Sequence, residues 1–116
     1  MSNKDQYRLR HMLNAAREIV DFLEGRERLD LFNDRKLALS IVALYQILGE
    51  AAKKVSPEFR ADHPEIEWSP MARMRDRITH GYFDIDYDII WDTSKNKLPA
   101  LIDRLEPLLT QERLDL

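Results

Sequence analysis

The chain contains no cysteine, only three glycines, and no apolar run approaching the roughly 18 residues needed to span a bilayer. Without cysteine there can be neither disulfides nor thiolate metal sites, which fits a reducing compartment. Few glycines and no sustained two-residue alternation argue against a sheet protein and for helices. No glycine-rich phosphate loop occurs, so nucleotide hydrolysis of the P-loop type is excluded. His11, His63 and His80 are scattered and form no HExxH pair, which leaves zinc without a site. Asp84, Asp86 and Asp88 alternate as they do at the start of an EF-hand loop, but Ile89 stands where the glycine belongs and Lys95 where the closing glutamate belongs, so calcium is excluded too. Metal-free chemistry remains, and no cofactor is expected. A net charge of −3 means that the surface as a whole is not a basic field, so any polyanion must be met by a local patch. The polar start Met1-Ser2-Asn3-Lys4-Asp5 is unlike a signal peptide, so a soluble, cytoplasmic protein with no membrane partner is expected.

What is present is helical periodicity. The 116 residues are expected to form one domain, 1–116, large enough to bury a core without staples. The expected fold is all-α, an up-and-down bundle of four to five helices. Leu9, Met12, Leu13, Ala16, Ile19, Val20 and Leu23 make one stripe of a first helix from Asn3 to Glu24, with Ser2 and Asp5 resembling a capping box and Gly25 as its stop. A second helix runs from a cap at Asn33-Asp34 to Val55, where Ser56-Pro57 breaks it; the two make an antiparallel hairpin. Gly49 inside this helix points to a close approach of another helix, and Glu50 reads as a solvated charge or as a support for the arginine-rich segment. Ser56 to Trp68 is a connector with at most one short turn of helix. A last helix starts near Asp84 or Asp86 and is kinked or divided near Asn96 by Pro99, with its tail fraying after Leu109.

Chemically capable residues cluster between the connector and the last helix. Ser69-Pro70 suits a helix start, Met71, Met74 and Ile78 give one buried stripe, and Gly81 suits a helix end, which would place His80 in or near the last turn. Arg73 and Arg77, one turn apart, lie on another face. Arg75 stands five residues before His80 and Tyr82 follows two later, giving R-x4-H-x-Y. Arginine offers a planar fork of donors that fits phosphate, and histidine moves protons near neutral pH, a pairing suited to phosphodiester chemistry. The same residues also read as a solvated charge, a capping imidazole and a packed aromatic corner at Tyr82-Phe83.

This stretch resembles the signature of the HEPN superfamily of helical ribonucleases, and more narrowly its HepT toxin branch. The likeness extends through Ile66-Glu67-Trp68, through Met74 to Asp86, and through Gln46-Ile47-Leu48-Gly49-Glu50-Ala51-Ala52, and so covers most of the chain. It departs at Asp76, where the family often carries asparagine; a negative charge there works against RNA affinity. The resemblance implies a homodimer with a composite site at its interface, His80 transferring protons and Arg75 binding phosphate, while Arg73 and Arg77 extend the basic patch and Asp76 orients His80 or Arg75. Two-fold symmetry suits this chemistry, because one imidazole cannot easily serve as both base and acid, and a dimer brings two together. The resemblance further implies the toxin of a toxin–antitoxin pair, held in check by an MntA-type nucleotidyltransferase antitoxin that adds AMP to Tyr82. The alternative is a non-catalytic dimerisation module that binds such a nucleotidyltransferase.

Overall fold

The computed structural model describes residues 2–79 and 84–114, with side chains to residue 109. Two long helices form its frame. Helix α1 (Asn3–Leu23) opens where the Ser2 hydroxyl accepts the Asp5 N–H at 3.0 Å, and Gly25, at φ +73°, turns the chain after it. The Asp5 carboxylate does not complete the expected capping box. It reaches across the fold, accepting the Ser56 N–H at 2.8 Å and the Ser56 hydroxyl at 2.7 Å. Burial alone would raise the pKa of this carboxyl, but those hydrogen bonds outweigh it and hold Asp5 below the usual aspartate range.

A short helix that the sequence does not announce, α2 (Arg28–Asn33), follows the turn. Its Arg28 donates to Asp88 and Asp92, both at 2.7 Å. Then α3 (Arg35–Lys54) starts from Asp34, whose side chain accepts the Leu37 N–H at 3.0 Å. It runs antiparallel to α1, since the tie from Asp5 to Ser56 joins the start of one to the end of the other. Ser56 also caps α4 (Pro57–Asp62), the short turn expected in the connector. His63 ends this helix, and its carbonyl accepts the Trp68 indole N–H at 2.9 Å.

The connector leads to α5 (Trp68–Ala72) and α6 (Met74–Ile78), and the chain closes with α7 (Tyr87–Asn96) and α8 (Leu98–Leu114). Asp86 caps α7 by accepting the Ile89 N–H at 3.0 Å. The division at Lys97 falls where Pro99 predicts it, with the proline in the first turn of α8, where its missing N–H leaves no bond unmade. Helix α8 continues past the expected fraying point to Leu114.

The described residues are thus all-helical, in eight helices rather than four or five, because the connectors themselves coil into short turns. A single buried cluster joins α1, α3, α7 and α8, running from Leu9 through Ile41 and Leu48 to Ile90 and Leu105. Inside it, the hydroxyls of Tyr45 and Ser94 meet at 2.6 Å and pin α3 to α7. Among the described residues no helix is long and apolar enough to cross a membrane.

Candidate functional site

The arginine-rich segment is positioned by its buried side. Met71, Met74 and Ile78 are buried, as their spacing predicts, and together with the buried Trp68 they lay α5 and α6 against α3. The approach is close at Gly49. A Cβ there would lie 3.1 Å from the Met71 carbonyl oxygen and 3.3 Å from that of Ala72, so the α5 backbone rests where α3 has no side chain.

Instead of the single helix expected from Ser69-Pro70 to Gly81, two short ones meet at Arg73, whose φ −98° and ψ 5° break the regular winding. Glu67 takes the cap position and Pro70 sits two residues inside α5, still among the N–H groups that have no helical partner. Helix α6 stops at Ile78, sooner than predicted. Thr79 is extended and bridges antiparallel to Ile85, and the Asp86 N–H donates to the Ile78 carbonyl at 2.7 Å. This pairing outcompetes another helical turn, so the helix ends at Ile78. His80 and Tyr82 themselves, with Gly81 and Phe83, lie outside the described residues.

Arg73, Arg75, Asp76 and Arg77 are all exposed. The structure brings two of them to one place. Arg75 and Asp76, with Thr79 and Ile85, face Leu39, Val42 and Gln46 of α3 across a groove of about 510 Å³. Arg73 and Arg77 are on the same segment but do not line that groove. Among the described residues, no carboxylate forms an ion pair with Arg73, Arg75 or Arg77, and Asp76 forms none with Arg75. Thr79 donates its hydroxyl to the Arg75 carbonyl at 2.8 Å, which fixes the backbone that carries the arginine. Glu50 does not support this segment: it is exposed and lines a different hollow, with Arg8, His11 and Lys54. The acidic run after the site has structural partners, since Asp86 caps α7 and Asp88 holds Arg28. Among the described residues, no three carboxylate or imidazole groups stand close enough to hold a metal ion.

One feature of the groove does not follow from the motif. Leu39, in the groove, is 47% exposed and Ile47, in the neighbouring hollow, 48%, on a helix whose other face is buried. The signal in the sequence was an excess of apolar residues on α3, since Leu39, Val42, Ala43 and Ile47 form a second stripe beside Leu37, Ile41, Leu44 and Leu48.

Comparison with known proteins identifies the family. Residues 12–108 match the family model described as Ribonuclease HepT-like, a span that includes α3, the groove and the whole R-x4-H-x-Y motif. A protein of Thermococcus cleftensis named as a probable ribonuclease HepT is 39% identical over 79 residues, which is 68% of this chain and 72% of that one. A Methanocaldococcus jannaschii protein named as a candidate RNase is 33% identical over 98 residues, covering 84% of this chain and 81% of its own. Another, from Caldanaerobacter subterraneus subsp. tengcongensis and named in the same way, is 32% identical over 105 residues, or 90% of this chain and 94% of that one. No solved structure matches. The chain therefore belongs to the ribonuclease HepT-like family of the HEPN superfamily.

Proposed function

We propose that this protein is a metal-independent endoribonuclease, the toxin of a toxin–antitoxin pair, acting in the cytoplasm as a homodimer with its site between the subunits. The observation that carries this reading is Arg75: an arginine free of ion pairs among the described residues, in an open groove, five residues before His80 in a chain of this family. RNA supplies its own nucleophile. An imidazole, His80, takes the proton of the 2′-hydroxyl as its oxygen attacks the adjacent phosphorus. The Arg75 guanidinium donates to the phosphate oxygens as charge builds on them. The bond to the 5′-oxygen breaks, and the partner subunit's His80 protonates that leaving oxygen. The products are a 2′,3′-cyclic phosphate and a 5′-hydroxyl. The exposed Leu39 and part-buried Val42 beside Arg75 support a two-fold contact there, since apolar area next to a site gains stability when a second copy covers it. Arg73 and Arg77, at the margin, add affinity that falls with salt.

Regulation goes through Tyr82. A nucleotidyltransferase antitoxin of the MntA type joins the α-phosphorus of ATP to the phenolic oxygen and releases pyrophosphate. The added anion then sits close in sequence to Arg75 and competes for its donors. A second reading, a non-catalytic module that only binds such a transferase, is favoured by the Asp76 carboxylate in the same groove as Arg75. Expression without the antitoxin separates the two: the toxin arrests growth and the module does not. His80→Ala abolishes cleavage while the dimer persists, and if that variant cuts RNA as fast as the parent, the assignment of His80 fails. Intact mass after co-expression with the transferase reports AMP on the parent and none on Tyr82→Phe.

A further inference from the structure

Gln46 lines two hollows on α3. On one side lies the Arg75 groove; on the other a smaller one of about 390 Å³, lined among others by Arg8 and His11 of α1 and by Lys54 and one carboxylate, Glu50, of α3. The second hollow therefore continues the first along the outer face of the α1–α3 hairpin. At its edge Tyr7 is 50% exposed, with its ring 4.2 Å from that of His11 and the Arg8 guanidinium 5.2 Å from the Tyr7 ring centre. An exposed aromatic ring flanked by an imidazole and a guanidinium presents a flat surface on which a base can stack.

The charge pattern of α1 singles this end out. Lys4, Arg8 and Arg10 occupy its first half, and Asp21 and Glu24 stand at its far end, where no basic residue lies in the last turn. A helix is stabilised by the opposite order, acid first and base last. The one acid near its start, Asp5, is buried and taken up by Ser56. Lys53 and Lys54 at the end of α3 accord with that helix's dipole, and Lys54 lines the same hollow as Arg8. A chain of net charge −3 thus gathers cations that form no ion pair among the described residues beside an exposed ring, at the end of a groove leading from Arg75.

We infer that Tyr7, Arg8, His11 and Lys54 form a platform for single-stranded RNA that holds the substrate strand beyond the cleavage site, with Tyr7 and His11 against a base and Arg8 and Lys54 on phosphates. This rests on the ribonuclease reading for its substrate, but its test does not depend on cleavage. Full-length His80→Ala protein is titrated with a fluorescent single-stranded RNA oligomer across a range of salt. Replacing Arg8 and Lys54 together by alanine is expected to flatten the dependence of log affinity on log salt by about 1.4, and Lys54→Ala alone, at an exposed position, by about 0.7. Tyr7→Ala is expected to weaken binding roughly tenfold. Unchanged slopes and affinity overturn the platform. So does a fall in subunit association without a change in slope, which would make this face a protein contact. Cleavage of the same oligomer by the parent is read in parallel: its absence counts against the nuclease reading, while the slope alone decides the platform.

Discussion

Replacing Gly49 by alanine sets two effects of known sign against each other. In the interior of a helix, alanine is favoured over glycine by about 0.8–1 kcal/mol, so local preference predicts a more stable protein. The structure predicts the reverse. The new Cβ would meet two backbone carbonyl oxygens of α5, at 3.1 and 3.3 Å, and a backbone oxygen cannot swing aside as the end of a side chain can. Forcing an extra carbon into a packed contact costs about 1–3 kcal/mol. A net loss of about 1 kcal/mol is expected, or roughly 4 °C in melting temperature. Urea denaturation measures it, with Ala43→Gly at an exposed position of the same helix as the reference for propensity alone. Because α5 leads directly into the helix that carries Arg75, the same variant should also slow RNA cleavage. A Gly49→Ala protein stabilised by about 1 kcal/mol, with cleavage intact, would refute the close packing of α5 on α3.

Three further outcomes follow from the geometry. Asp5→Ala leaves the Ser56 N–H and hydroxyl without their acceptor and should cost about 1–3 kcal/mol in urea melts. Since the folded protein holds the Asp5 carboxyl below its ordinary value, this stability is present above about pH 4 and is lost as pH falls through the folded value, a loss that the variant should not show. Tyr45→Phe strands the buried Ser94 hydroxyl and should cost about 1–2 kcal/mol, with less than additive loss when Ser94→Ala is combined with it. Burial pushes the Tyr45 phenol up, so it stays protonated when the unfolded chain ionises; stability should fall above about pH 10 in the parent and less in Tyr45→Phe. Asp76→Asn removes the one carboxylate that lines the Arg75 groove among the described residues and should tighten RNA binding up to about fivefold at low salt, as read by anisotropy.

The long helices were legible because each carries its own punctuation. Ser2, Asp34 and Asp86 cap helices by local hydrogen bonds, Gly25 supplies the one positive φ among the described residues, and Pro99 marks where the last helix divides. What could not be read is set by partners far along the chain. Helix α2 has a single buried residue, Leu31, and is held by Arg28 reaching residues sixty positions away. Asp5 is drawn from its expected cap by Ser56. The motif helix ends at Ile78 because Thr79 finds Ile85, a pairing no local pattern announces. At the site, exposure of Arg73, Arg75 and Arg77 followed directly from burial of Met71, Met74 and Ile78. The sharing of one groove by Arg75 and Asp76, without Arg73 or Arg77, depends on how α6 crosses α3.

The most direct test of the account is the chemistry of the ends it makes. Purified protein is incubated with single-stranded RNA in excess chelator, and the fragments are analysed by mass. Fragments ending in 2′,3′-cyclic phosphate and 5′-hydroxyl are predicted, with the rate falling at least about 100-fold in Arg75→Ala. Intact RNA, cleavage that appears only with added divalent metal, or fragments ending in 3′-hydroxyl would contradict it.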